Sequence, residues 1–343
     1  MRSKSREPLQ KTNVNVSKHV SLIIPEGESK LSCIILAYEV LLAANEYYKM
    51  HDRTPVFKVE LVGEKKKNQV HNGLFSIQPG KHFKDIDKTD LVVIPAIDKN
   101  FDNILNINKT LINWVKDQYI AGAEVASLCT GAFLLASTGL LQGRQCSTHW
   151  QATNAFRQLF PSVDLTTEKL ITDNNGIYTT GGALSSMNLV LYLIEKYYDR
   201  ETAIFIAKRF QIDINRSSQS PFTIFLGQKD HEDKEIRNAQ LFMESNVSEK
   251  ILVSELADKF AIGRRHFDRR FIKATGNTPA EYLQRLKVEA AKKTLEMTRK
   301  TVNEVMYDTG YSDTKAFRDV FKKYTGLSPL EYRNRYNKEA VVN

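Results

Sequence analysis

Cysteine is almost missing from this 343-residue chain, which has three: Cys33, Cys129 and Cys146, widely spaced. An odd, scattered set supports neither a disulfide framework nor the paired spacing of a zinc site, so no metal and no cofactor is expected. No apolar run reaches the length of a membrane span, and the polar N-terminus lacks the apolar stretch of a signal peptide. These absences point to a cytoplasmic protein with no membrane partner. Tryptophan is scarce, with Trp114 and Trp150 alone, and His51, His71 and His82 are not spaced as metal ligands.

What is present is unevenly spread. The formal charge is +9, carried by the ends. Residues 1–20 hold five basic residues and one acid, and residues 231–343 hold 22 Lys/Arg against 17 Asp/Glu. Residues 21–230 balance at 22 of each. A neutral middle with a basic C-terminal third suits a sensor joined to a nucleic-acid binder, not a uniformly nucleic-acid-coating protein. Residues 1–18 read as a disordered basic tail.

Through 19–210, strand and helix patterns alternate. Apolar strands are expected at 19–25, 57–63, 90–95 and 124–128. Helices are expected at 31–50, 108–119, 131–141, 184–198 and 202–210, and a hairpin at 165–180 turning on Asn174-Asn175-Gly176. Such alternation implies an α/β domain with a mostly parallel sheet. Residues 211–235, with Ser217-Ser218-Gln219-Ser220-Pro221 and a charged run, read as a linker to a helical domain over 236–343.

One stretch of the α/β region carries chemistry. In Ser127-Leu128-Cys129-Thr130-Gly131-Ala132-Phe133, a cysteine sits where a buried strand turns sharply into a helix, with glycine two residues later. That is the pattern of a nucleophile elbow. Ser147-Thr148-His149-Trp150 downstream could supply an imidazole. Spacing alone leaves an equal alternative, a small residue filling a tight turn.

The C-terminal third says one thing twice. Leu252 to Phe260, Ala261-Ile262-Gly263 and Arg264 to Ala274 form helix, turn, helix. Thr301 to Thr309, Gly310-Tyr311-Ser312-Asp313 and Thr314 to Tyr324 repeat it. Leu256, Phe260, Ile262, Phe267 and Phe271 supply the first core; Val305, Tyr311, Phe317, Val320 and Phe321 supply the second. Each copy ends in a glycine stop, an N-cap hydroxyl and a proline at the first helical position: Thr275-Gly276-Asn277-Thr278-Pro279, then Thr325-Gly326-Leu327-Ser328-Pro329. The polar faces are cationic: Arg264, Arg265, His266, Arg269, Arg270 and Lys273 in the first copy. In the second they are Lys315, Arg318, Lys322 and Lys323, with Thr314 opening the helix. Arginine forks suit guanine edges and phosphates, and lysines mainly phosphates. The expected partner is double-stranded DNA.

This region resembles the DNA-binding domain of the AraC/XylS family of bacterial transcription regulators, including the connecting helix 279–297 and the closing Gly326 to Arg333. Met306 departs from the small residue usual there. Cys129 to Ala136, Gly139-Leu140-Leu141, Gly143-Arg144, Thr148-His149-Trp150, Phe160-Pro161 and Thr180-Gly181-Gly182 resemble the PfpI-like, class I glutamine-amidotransferase-type domain. The fold this implies is flavodoxin-like. The two in this order are similar to GlxA-type regulators.

The resemblance places Cys129 and His149 at the enzymes' nucleophile and base. It places Ser32 where those enzymes carry a carboxylate, with Glu26 and Glu28 out of register. A hydrolytic cysteine without that acid lacks a proton partner. A binding pocket is therefore expected in place of an active site, lined by Ser32, Cys129, Thr130, His149, Gly181 and Gly182. The expectation is a non-enzymatic, ligand-responsive regulator, an activator, forming a homodimer, with a small-molecule effector and RNA polymerase as partners. The alternatives are a cysteine-dependent hydrolase or amidotransferase fused to a DNA-binding domain, and a redox sensor acting through Cys129.

Overall fold

A computed structural model describes residues 17–337. The basic tail expected at 1–18 lies outside the described residues apart from Ser17 and Lys18, and Lys18 already belongs to a strand. The chain divides into two compact units, one ending at Ser217 and the next starting at Ser218.

The first unit is built on a seven-stranded sheet: β1 (Lys18–Ile24), β2 (Phe57–Gly63), β3 (Lys81–His82), β4 (Leu91–Ile94), β5 (Glu124–Leu128), β6 (Ile171–Asp173) and β7 (Ile177–Thr180). The spatial order is β6-β7-β5-β4-β1-β2-β3, parallel throughout except for the β6–β7 hairpin. Among the longer parallel strands the order is that of flavodoxin, and it reverses between β1 and β4.

Side chains alternate between the two faces, as the strand period of two requires. Val20, Leu22, Leu91 and Val93 face helices Leu31–Met50, Met187–Tyr197 and Arg200–Phe210. Ile23, Val92 and Ile94 face Lys109–Ile120, Ala132–Ser137 and Thr153–Leu159. Both faces are covered, which is why central β4, Leu91–Ile94, is apolar without a break, while β2, nearer the sheet edge, carries Lys58 and Glu60.

The helix expected at 131–141 is shorter. A 3-10 turn, Cys129–Gly131, leads into Ala132–Ser137. The Thr138 hydroxyl donates to Leu135 O and accepts from Leu140 N, and Gly139 follows at φ +80, so the helix stops there.

The second unit holds seven helices of seven or more residues among the described residues. Helix Lys234–Ser245 precedes the first repeat, Val253–Lys259 and Arg264–Thr275. The 19-residue connecting helix Pro279–Met297 leads to the second repeat, Val302–Asp308 and Thr314–Thr325, and Pro329–Tyr336 closes the unit. Both reading helices stop at a left-handed glycine, Gly276 at φ +68 and Gly326 at φ +72. Capping boxes at Thr278/Glu281, Thr301/Glu304 and Ser328/Glu331 start the helices that follow. Met306, like its counterpart Ala257, is buried in its repeat's core.

The segment expected as a linker is packed, not free. Tyr336 Oη donates to Pro221 O at 2.9 Å, and Lys292 Nζ to Thr223 O at 2.5 Å. The Phe225 ring packs edge-on against Tyr282. The Gln228 side chain accepts from Asn277, and its carbonyl from Gln240. Residues 218–228 thus form a strap running from the second repeat, along the connecting helix, to the first.

Candidate functional site

In an open parallel sheet, loops at the carboxyl ends of the strands diverge where the strand order reverses, and ligands sit in that crevice. A cavity of about 360 Å³ lies there. Lys30 enters it from the loop after β1, Asp98 and Lys99 after β4, Cys129 and Thr130 after β5, and Ala183 after β7. Phe101 and His149 complete the wall. The lining mixes apolar side chains, Ile97, Phe101 and Ala152 among them, with a few polar groups, the usual composition of a small-molecule site.

Cys129 holds the turn at φ +55, a left-handed conformation rare for a side-chain-bearing residue. The turn is clamped by Thr148 Oγ1, which donates to Cys129 O at 3.0 Å, and by Thr130 Oγ1, which donates to Ile97 O at 2.5 Å. Gly131 is required for a different reason. A Cβ there would lie 2.7 Å from both Ile94 O and Pro95 O. The geometry is that of a nucleophile elbow, with the thiol at its tip buried. Burial, with the Cys33 thiol behind it, pushes the Cys129 thiol up to about 12. Burial first, then Lys30, holds His149 below the usual imidazole range. His149 Nδ1 accepts from Gln151 N, so a neutral ring carries its proton on Nε2.

Of the residues expected at the pocket, Cys129, Thr130 and His149 line it; Ser32, Gly181 and Gly182 do not. Ser32 lies in the first turn of Leu31–Met50, exposed but with its hydroxyl in hydrogen-bonding reach of the Cys33 thiol, while Cys33, about 100° further round, packs with Ala96 and Cys129. Gly181 and Gly182 shape the turn, their carbonyls accepting from Ser185 and Ser186, and Ala183 faces the cavity in their stead. The nearby acids are committed elsewhere. Glu28 accepts from the His71 and Asn72 amides, and Glu26 pairs with Lys65. Asp98, the acid at the cavity, is held by Lys30 at 3.0 Å.

The thiol's protonation makes a testable statement. A group titrating near 12 is thiolate in roughly one molecule in a hundred thousand at neutral pH. Alkylation of Cys129 by iodoacetamide in the folded protein should be negligible at pH 7.5 and keep rising with pH, without a plateau, beyond pH 10. Mass-mapped labelling that is already complete within minutes at neutral pH would contradict it.

On the second unit, the basic residues separate into committed and free. Arg270 is half-buried and bidentate to Asp233 at 2.7 and 2.8 Å, with Glu235 at 2.8 Å. It anchors the helix Arg264–Thr275 to Lys234–Ser245. Arg264 pairs with Asp268 one turn on, and Arg269 donates to His266 Nδ1. Lys323 lies over the Tyr324 ring. Arg265, Lys273, Lys315, Arg318 and Lys322 are exposed and make no ion pair or hydrogen bond with the described residues. Thr314 is half-buried at the start of the second reading helix.

Two family profiles match: the DJ-1/PfpI family over residues 37–196 and a helix-turn-helix domain over residues 256–335. The chain joins a DJ-1/PfpI domain to an AraC-type helix-turn-helix domain. GbdR of Pseudomonas aeruginosa, an HTH-type transcriptional regulator, is 29% identical over 232 residues, 66% of this chain and 62% of GbdR. The chain therefore spans less than two thirds of that relative. The HTH-type regulator GlxA of Rhizobium meliloti is 22% identical over 215 residues, covering 62% of this chain and 66% of GlxA. A solved structure from Vibrio parahaemolyticus, of a protein taken for a transcriptional regulator, shares the fold. It has a TM-score of 0.51 and 24% identity, covering 57% of this chain and 99% of that one. The DJ-1/PfpI domain supplies the elbow and cavity, and the AraC-type domain the paired reading helices.

The sequence left several functional residues unmarked. Lys30, Asp98, Lys99 and Phe101 line the cavity from loops with no motif of their own, and their position at strand ends was their one available signal. The Cys33 contact depends on helix phase, and the Arg270 pairing on an acid 37 positions away.

No described helix is long and apolar enough to cross a membrane.

Proposed function

We propose that the chain is a sequence-specific DNA-binding transcription regulator whose DJ-1/PfpI domain binds a small metabolite and does not turn it over. One observation carries the DNA reading. Two matched helices, each with an outward cationic face, are joined by a 19-residue helix. At about 1.5 Å per residue that helix is roughly 28 Å long, close to the ~34 Å between successive major grooves on one face of B-DNA. One chain can therefore fill two adjacent grooves.

Binding without turnover is supported by the buried, protonated Cys129 and by the lack, among the described residues, of an uncommitted acid at the cavity. Homodimerisation through the neutral domain raises the effective concentration of reading helices. An activator's role beside RNA polymerase belongs to the same reading and rests on the family resemblance alone.

A metabolite can bias DNA binding only through its differential affinity for two states, and the coupling is reciprocal. Small molecules that co-purify with the full chain, identified by mass spectrometry, should tighten or loosen operator binding by a given factor. Operator should change metabolite affinity by that same factor. Calorimetric titration with and without operator checks this, and equal affinities would remove the coupling. Turnover of the metabolite, lost in Cys129→Ala, would make the domain an enzyme.

A further inference from the structure

The two repeats superimpose in sequence on their buried residues: Phe267 on Phe317, Phe271 on Phe321, Thr275 on Thr325 and Gly276 on Gly326. That register sets Arg265 against Lys315, and Arg269 against Asp319. At 100° per residue, the row diametrically opposite the midline of Phe317 and Phe321 is centred on Asp319, with Lys315 and Lys323 about 40° to either side. The corresponding row on the first helix is centred on Arg269, with Arg265 and Lys273 to either side. The chain therefore carries a carboxylate at the centre of the outward face of the second reading helix, where the first carries a guanidinium.

Asp319 is exposed and has no ion pair or hydrogen bond with the described residues. It differs in this from Asp268, which is one residue off the row and holds Arg264. It differs too from Asp313, which caps the helix by accepting from Ala316 N. Lys315 lies one turn before Asp319, and Lys322 and Lys323 one turn after, yet none pairs with it.

A lone carboxylate on a DNA-facing row is repelled by phosphates and has no donor to give. Its partner in a groove must be a donor. In the major groove the donors are the exocyclic amines of cytosine and adenine. Adenine places the N7 acceptor beside its amine, which opposes a carboxylate; cytosine has no such neighbour on its own edge. We propose that Asp319 is a specificity-determining residue that accepts a hydrogen bond from a cytosine N4 amine in the second groove. The two grooves are then read with opposite polarity, by an arginine row in the first and by a carboxylate flanked by lysines in the second. The lysines on either side supply the phosphate attraction that lets the acid approach. This rests on the second reading helix entering a groove, as the proposed function requires.

The test selects duplexes from a randomised library with the full-length protein, its D319A and D319N variants, and K315A as a marker of the second groove. Binding to the selected site is then measured at two salt concentrations. Wild type should require a C·G pair about one helical turn from the position that depends on Arg265. D319A should bind that site about tenfold more weakly and accept any base there, with every other position unchanged. D319N should move the preference to adenine, which an amide can address through N6 and N7. The proposal is overturned if D319A binds all sequences more tightly, with a steeper salt dependence and no altered position. It also falls, with the DNA function intact, if K315A changes the second half-site and Asp319 variants leave base preference untouched. A wild type that enriches no sequence would remove the DNA function itself, and this assignment with it.

Discussion

Gly131→Ala should destabilise the DJ-1/PfpI domain by about 3 kcal/mol or more, at the upper end of what overpacking costs. The residue's dihedrals are ordinary, φ -57 and ψ -20, so alanine would fit the backbone. What it lacks is room, since both atoms 2.7 Å from the new Cβ are backbone carbonyl oxygens, Ile94 O and Pro95 O. Neither can rotate away as a side-chain tip could. Relief requires the end of β4 to separate from the elbow, shifting the loop that brings Asp98 and Lys99 to the cavity. At roughly 2–4 °C per kcal/mol for a domain of this size, the melting temperature should fall by roughly 6–12 °C. Calorimetry of the full chain measures it. A shift under 1 °C would mean that the turn and β4 are not in close contact.

Arg265→Ala should cost about 1–3 kcal/mol of binding to the selected operator and relax base preference at one position. Arg265 is the exposed arginine of the first reading helix with no partner among the described residues, so removing it leaves nothing behind in the fold. Lys322→Ala, by contrast, should weaken all sequences alike and make the log–log salt slope about one unit shallower. Arg270→Ala should lower thermal stability and leave base preference alone, because its guanidinium is spent on Asp233 and Glu235. Library selection at two salt concentrations separates the three. Uniform loss of affinity in Arg265→Ala, with preference intact, would show the wrong face has been assigned.

Local pattern was sufficient where a side chain's role is set by its neighbours in sequence. The helix Leu31–Met50 and strands β2 and β5 lie where periodicity puts them, because each has a full apolar face and a clear stop. The reading helices were legible from matched caps and glycines. Where the role is set by a distant residue, pattern failed. The resemblance puts Ser32 at the pocket, but the start of the helix at Leu31 turns Cys33 inward instead. Arg270 looked like its neighbours until Asp233 was in view. Asp319, a single acid among lysines, carries no mark in the sequence that sets it apart from the solvated charges around it. Residues 211–235 read as a linker on composition, which registers polarity but not packing.

The strap has a consequence for how such regulators could be recombined. A graft that joined a foreign sensor at residue 236, where the helical pattern resumes, would discard the Thr223 carbonyl that satisfies buried Lys292 and the Phe225 ring set against Tyr282. Residues 218–228 are, by their contacts, masonry of the DNA-binding half, mortared across the seam between its two repeats. The natural seam for exchange is the peptide between Ser217 and Ser218, and a reading head cut beyond Pro221 arrives with its two grippers no longer held in gauge.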